Sequence, residues 1–359
     1  MSSEKTPGGS DFGRCLVYGA SGYTGELIAE RAAELGLRPI LAGRSAEKLR
    51  PLAERFAMPT RVFGLDDPEA IDRGLADVDV VIHAAGPFSR TSRPMLEACL
   101  RARSHYLDIT GEISVFEACA ARGREAQDAG VMVMPGTGFD VVPSDCLAKH
   151  VAQRLPEATE LTLAFQSVGG GTSHGTATTM VESLHLPNQV RRDGVIVDVP
   201  SGSLWRDIDF GRGPRAAMSI PWGDVSTAFS STAIPNIAVY IAAPPAARWG
   251  AKLLPYAGPL LGSAWVQRAL RSRIPPGGPS AEARARSFTL MWAEARSRER
   301  RVVSRMRVPE GYTLTARTSV EIARRVLGGD AQPGFRTPST VFGADFILGF
   351  DGVSRSDEP

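Results

Sequence analysis

Lysine is scarce in this chain. Only Lys5, Lys48, Lys149 and Lys252 carry it among 359 residues, so arginine supplies nearly all the positive charge. The net charge of +2 gives no whole-molecule attraction to nucleic acid. Cysteine is also sparse: Cys15, Cys99, Cys119 and Cys146 form no C-x-x-C pair and no metal-like spacing with the five histidines. That argues against a disulfide scaffold and a metal site, and for reduced thiols in a cytoplasmic protein. No apolar run reaches the ~18–20 residues of a membrane span. The nearest approach, 236–266, is broken by Pro244, Pro245, Arg248, Lys252, Pro255 and Pro259. It reads either as a loop with short helices or as an apolar flap touching a lipid surface or a greasy substrate. Residues 1–11 are polar, without a secretory core, and read as a disordered terminus. No Ser/His/Asp hydrolase signature occurs.

Glycine, by contrast, is well placed. Gly19-Ala-Ser-Gly22-Tyr-Thr-Gly25 follows an apolar run at 16–18 and opens an amphipathic run at 26–35. A strand, a glycine turn and a helix start in that order form a diphosphate cradle, with backbone N–H groups aimed at the anion. Strand-like and helix-like runs then alternate. Strands are expected near 39–42, 60–63, 78–84, 105–108 and 131–134, with helices at 46–56, 68–75, 93–102 and 114–128. This rhythm predicts a Rossmann-type doubly wound parallel sheet. It stops near Pro143. Beyond it, 160–166 and 196–199 read as strands of another sheet, 288–307 as a β-hairpin about the turn 296–300, and 312–316 as a further strand. A helix is expected over 319–327. The domain expectation from this rhythm is a disordered 1–11, a nucleotide-binding domain over 12–145 and a second, α+β region over 146–317, followed by a segment over 318–350 and a disordered tail over 351–359.

The cofactor residues follow from this layout. Gly19, Gly22 and Gly25 leave room for the diphosphate, while Ser21, Tyr23 and Thr24 line the turn and add hydroxyl contacts. At the second strand's end an acidic residue would select NAD; this chain has Arg44 and Ser45, with Lys48 one helical turn on. A guanidinium, a hydroxyl and an ammonium there suit the 2′-phosphate of NADP(H). Asp66 reads either as a partner for the adenine amino group or as a helix cap. Small residues at Ala84, Ala85, Gly86 and Pro87 leave room beside the nicotinamide ribose. His83, at that strand's end, reads more readily as a structural histidine than as a catalytic one.

The motifs Gly19–Gly25, Ala42-Gly-Arg-Ser45, Ala84-Ala-Gly-Pro-Phe88, Tyr106-Leu-Asp-Ile-Thr-Gly-Glu112 and Pro135-Gly-Thr-Gly-Phe-Asp-Val-Val-Pro-Ser-Asp145 occur in order. Gly170-Gly-Thr-Ser-His-Gly-Thr176, Pro221-Trp-Gly-Asp224 and Pro309-Glu-Gly-Tyr-Thr-Leu-Thr315 follow, then Gly334-Phe-Arg-Thr-Pro-Ser339. Together they resemble the saccharopine dehydrogenase-like oxidoreductases, in particular the branch that includes trans-acting enoyl reductases. The resemblance implies an NADP-binding Rossmann-type domain over 12–145, an inserted substrate and dimerisation domain over 146–317, a segment over 318–350 that returns to the first domain, and a homodimer.

Hydride transfer to carbon needs a proton source nearby. His174 stands at the start of a helix, whose N–H groups favour a neutral ring able to donate or to orient a carbonyl. Asp140 and Asp224 are the other catalytic candidates, Asp140 alternatively capping the crossing between domains. Thr176 and Trp222 are the candidate substrate contacts. No cationic array for a tricarboxylic amino acid stands out, and the aromatics of the second region favour a hydrophobic substrate. The expected function is NADP(H)-dependent hydride transfer to an unsaturated, lipid-like molecule. The alternatives are a saccharopine-type dehydrogenase acting on a C–N bond and a non-catalytic NADPH-binding scaffold at a lipid surface.

Overall fold

A computed structural model describes residues 12–183, 185–251 and 261–358. The terminus 1–11 and residues 252–260 of the apolar stretch lie outside them. The chain divides into two units. The first runs through Ile109 and takes in Cys119–Thr137 and Thr315–Arg336; the second holds Thr110–Ala118, Gly138–Leu314 and the residues from Thr337 on. The crossing therefore comes at residue 138 rather than 146, and the returning segment ends at 336 rather than 350.

In the first unit, β1 (Cys15–Tyr18), α1 (Tyr23–Glu34), β2 (Ile40–Gly43), α2 (Ala46–Phe56), β3 (Thr60–Val62) and α3 (Pro68–Gly74) alternate. They continue into β4 (Val80–His83), α4 (Phe88–Ala102) and β5 (His105–Asp108). The helix expected at 114–128 is two helices, α5 (Ile113–Ala121) and α6 (Gly123–Asp128), because Arg122 leaves helical geometry at φ −93°, ψ 3°. β6 (Met132–Met134) closes the series. The order β6-β5-β4-β1-β2-β3 is parallel throughout. β1 and β4 are buried at every residue, as a strand covered on both faces requires, with His83 the polar residue that ends β4. Tyr18 pairs with His83, so the carboxyl ends of β1 and β4 lie side by side where the strand order reverses. In doubly wound sheets that is the ligand crevice.

The second unit contains α7 (Val142–Arg154), β7 (Glu160–Val168), α8 (His174–Ser183), β8 (Asn188–Arg192), β9 (Val195–Val199), β10 (Trp205–Asp209) and β11 (Pro214–Ser219). After these come α9 (Asp224–Thr232), β12 (Asn236–Ala242), α10 (Ala247–Ala251), α11 (Ala264–Arg271), α12 (Ala281–Ala285), β13 (Phe288–Arg296) and β14 (Arg301–Pro309). β13 and β14 form the expected hairpin. The mixed sheet runs β10-β11-β12-β7-β13-β14, with the β8–β9 hairpin attached to β12. It curls strongly: the Arg305 Nε on β14 donates to the Asp209 carbonyl on β10 at 2.7 Å, five places away in the sheet. Ile208, Phe210, Leu290, Trp292 and Val303 fill the concave side.

Two carboxy-terminal expectations are corrected. The stretch 312–316 is not a strand but the start of α13 (Gly311–Arg325), because the buried Glu310 carboxylate accepts from the Thr313 N–H at 2.9 Å and caps the helix. β15 (Gly334–Phe335) joins the first sheet beside β6. After α14 (Pro338–Phe342), the tail expected to be disordered forms β16 (Ser354–Asp357), paired antiparallel with β14. The Asp357 carboxylate accepts from Ser304 Oγ at 2.6 Å, which fixes that strand.

Candidate functional site

The first unit presents a cradle made mostly of backbone. Gly19 adopts φ +84°, and a Cβ there would lie 2.8 Å from the Ala85 nitrogen. A Cβ on Gly25 would strike the Gly19 carbonyl, so β1 and α1 pack closely only because position 25 is glycine. Beside Gly22, in contrast, nothing but the Gly19 oxygen, at 3.2 Å, comes near. Gly22 is the N-cap of α1 and, being glycine, places no side chain over the start of that helix. Ser21 is exposed beside it. A helix start without a side-chain cap, beside an open glycine, suits a diphosphate.

The second-strand end supplies the cations. Arg44 and Lys48 are exposed, and no ion pair holds either among the described residues. Ser45 caps α2 by accepting from the Lys48 N–H at 3.3 Å, which leaves its own proton available to an anion. Arg44 and Asp66 both act on the Tyr18 hydroxyl, whose pKa burial pushes up to about 12, Arg44 opposing the rise and Asp66 adding to it. Asp66 is therefore close to this corner, its carboxylate folded over Gly64. It is not the helix cap; Asp67 accepts from the Glu69 and Ala70 N–H groups instead. Ala84, Ala85, Gly86 and Pro87 leave β4 immediately beside the Gly19 turn. Every expected cofactor residue thus lies in one unit, and the cradle fits NADP(H).

The expected catalytic and substrate residues all lie in the second unit, where side chains build the arrangement. The Trp222 indole N–H donates to the Asp140 carbonyl at 2.8 Å. Its ring lies 4.8 Å from Phe165, which in turn meets Phe139 edge-on at 6.1 Å. Trp222 is therefore packed within an aromatic row. Gly311 abuts the Phe139 ring, and a Cβ there would meet it at 3.2 Å. The next residue, Tyr312, accepts from the Ser173 N–H at 2.7 Å and donates to Thr176 Oγ1 at 2.8 Å. Two linked groups result: Asp140, Trp222, Phe165 and Phe139 form one, and Tyr312, Ser173 and Thr176 form the other, with His174 beside the second in the chain. Tyr312 was missed from sequence because its segment reads as a strand.

Desolvation pushes the Asp140 carboxyl up to about 7, in the range of a general acid at neutral pH. Its Oδ2 sits over Gly111, where any side chain would collide with it. Asp224, the first residue of α9, is fully buried, and its pKa lies well above the usual carboxylate range through desolvation, with Asp145 and Asp140 adding to the rise. Neither of its oxygens meets a well-formed hydrogen-bond partner among the described residues; the nearby Ser144 hydroxyl, which partly opposes the rise, lies 3.1 Å from the Val141 carbonyl. Asp224 is therefore sealed from solvent, and its surroundings favour the protonated form. His174 Nδ1 lies 3.2 Å from the Pro275 carbonyl. A carbonyl only accepts, so Nδ1 carries the proton. In the neutral ring Nε2 then bears a lone pair and is the free position, contrary to the expected donation from neutral imidazole.

Residues 15–134 match the saccharopine dehydrogenase NADP-binding domain. A trans-acting enoyl reductase of Mycobacterium tuberculosis is 33% identical over 150 residues, 40% of this chain and 36% of that protein. A trans-acting enoyl reductase of Mycobacterium ulcerans is 29% identical over the same shares. The chain spans less than half the length of these curated relatives. Among solved structures, apo saccharopine dehydrogenase (L-Glu forming) from Saccharomyces cerevisiae superposes with a TM-score of 0.67 at 12% identity, over 96% of this chain and 99% of that one. The homospermidine synthase of Legionella pneumophila, in complex with NAD, gives 0.64 at 9% identity, over 96% and 91%. At those identities the likeness establishes the fold. The chain thus carries, over residues 15–134, a saccharopine dehydrogenase NADP-binding domain on a saccharopine dehydrogenase-like fold.

Proposed function

We propose that this NADP-dependent oxidoreductase reduces a carbon–carbon double bond conjugated to a carbonyl in a hydrophobic, lipid-like substrate. Bound NADPH would supply the hydride. Asp140 holds the proton that the adjacent carbon takes up. Thr176 accepts from both Tyr312 and Ser173, so its own proton is free for a substrate carbonyl. The observation that carries the reading is the make-up of the two linked groups around Asp140 and Thr176: carboxyl, hydroxyl and aromatic side chains, with no arginine or lysine in the hydrogen bonds and ring contacts that join them among the described residues. A substrate bearing several carboxylates, as in saccharopine-type chemistry, needs cationic anchors that these groups do not offer. The names of the curated relatives agree with an enoyl substrate.

An enoyl thioester should therefore drive NADPH oxidation, followed at 340 nm, while saccharopine should not drive NADP reduction. The reverse outcome would overturn the reading in favour of C–N chemistry.

A lipid-facing surface has its own support. Met180 on α8 and Trp265 on α11 are 60% and 66% exposed, with Arg268 one turn from Trp265. Such an aromatic and cationic face suits peripheral contact with an anionic bilayer. Co-sedimentation with phosphatidylglycerol vesicles, lost in Trp265→Ser, tests it. Among the described residues no helix is long and apolar enough to cross a membrane. The homodimer is tested by light scattering.

A further inference from the structure

His83 ends β4 with its ring wholly buried, enclosed by Tyr18 at 5.6 Å, Phe88 at 5.4 Å and Tyr106 at 6.4 Å. Its Nε2 lies 3.0 Å from Thr91 Oγ1. The Thr91 hydroxyl in turn lies 2.6 Å from the Ala85 carbonyl and 3.1 Å from that of Pro87. A hydroxyl has one proton, and carbonyls only accept, so that proton goes to Ala85 and Pro87. The bond between Thr91 and His83 must then run the other way, with Nε2–H donating to Oγ1. This fixes the tautomer and leaves Nδ1 a buried lone pair, for which the described residues provide no partner. An apolar side chain would fill the same space without an unsatisfied acceptor, so packing alone does not call for histidine here. Burial holds the ring neutral by pushing its pKa down to about 3, so it remains a single-proton donor at ordinary pH.

The strut therefore begins at the carboxyl end of the central strand and ends on the carbonyls of residues 85 and 87. Between those carbonyls lies the small-residue backbone expected to face the nicotinamide ribose. On its other side that backbone touches Gly19 of the diphosphate turn. We infer that His83 and Thr91 are a positioning pair, which sets the Ala84–Pro87 backbone for the nicotinamide half of NADP(H). The inference rests on the cofactor site described above. It assigns neither residue a chemical step.

Two ligands separate this role from a general structural one. Adenosine 2′,5′-bisphosphate carries the part that Arg44 would read and lacks the nicotinamide half. Calorimetric titration of Thr91→Val should show NADPH weakened about tenfold, as loss of a hydrogen bond worth ~1–1.5 kcal/mol predicts. Affinity for adenosine 2′,5′-bisphosphate should stay within about twofold, and Thr91→Ser should restore NADPH binding. Equal weakening of both ligands, or no change in NADPH affinity, would overturn the inference. Absence of bisphosphate binding in the unmodified protein would remove the nucleotide reading and this role with it. Long-range ¹H–¹⁵N spectra of the unmodified protein should show His83 in the Nε2–H form, unchanged from pH 5 to 8. A titrating ring, or the Nδ1–H form, would also overturn it.

Discussion

The two units build their sites from different material. In the first, the glycines at 19, 22 and 25 are three residues apart and act through backbone: one permits a turn, one leaves space, one admits a helix. In the second, Asp140, Trp222, Tyr312 and Thr176 come from four separated segments and act through side chains. A backbone site is written in local spacing, because glycine placement dictates local geometry. A side-chain site depends on which distant strands pair, and spacing does not record that.

The sharpest test of the second site is Asp140→Asn. If the carboxyl delivers the proton, turnover should fall ~10²–10⁴-fold with NADPH affinity intact. The neutral acid is the donor, so wild-type turnover should decline as pH rises through about 7, and the variant should lose that limb. Rate profiles from pH 5.5 to 9 check both. For the first site, Gly25→Ala should weaken NADPH ~100-fold, equivalent to about 3 kcal/mol, because the added Cβ meets backbone that cannot move aside. Retained affinity in calorimetry would show that the cradle yields more than its geometry allows.

Arg44→Ala should weaken NADPH roughly 10–100-fold, the worth of charge-assisted hydrogen bonds, and leave NADH within about twofold. Equal losses would show that a side chain does not set selectivity at this otherwise backbone-built site. The smallest effect is expected at Asp224. Its raised pKa means that the folded protein holds a proton which the unfolded chain releases above the ordinary carboxylate range. The stability this group contributes therefore falls as pH climbs past that range. Asp224→Asn should raise Tm by a few degrees at pH 8, with the gain shrinking toward pH 4 in scanning calorimetry.

The first sheet was legible nearly strand by strand, because runs such as Val80–Ile82 are apolar throughout and flanked by amphipathic helices. The break at Arg122 was not, since the residues on both sides have good helical character and the kink lies in the backbone angles. The strand expected at 312–316 failed for a different reason. Its alternation imitates a strand, but Glu310 supplies a cap that starts a helix. Tyr312 thereby moved from a sheet into the hydroxyl line beside Thr176. Asp140 and Asp224 were both singled out as acids. Burial separates them, Asp140 being part-exposed and Asp224 fully buried, and spacing in the sequence does not record that.

The carboxy-terminal strand has a practical consequence. Ser354–Asp357 covers the outer edge of β14, and Arg154 reaches past it to the Glu358 carbonyl at 2.9 Å. Shortening the protein by these few residues would bare the amide and carbonyl groups of Ser304–Arg307 along that edge, an invitation to sticky edge-to-edge association. Expression trials that trim this end for convenience should be watched for aggregates before any loss of activity is blamed on chemistry.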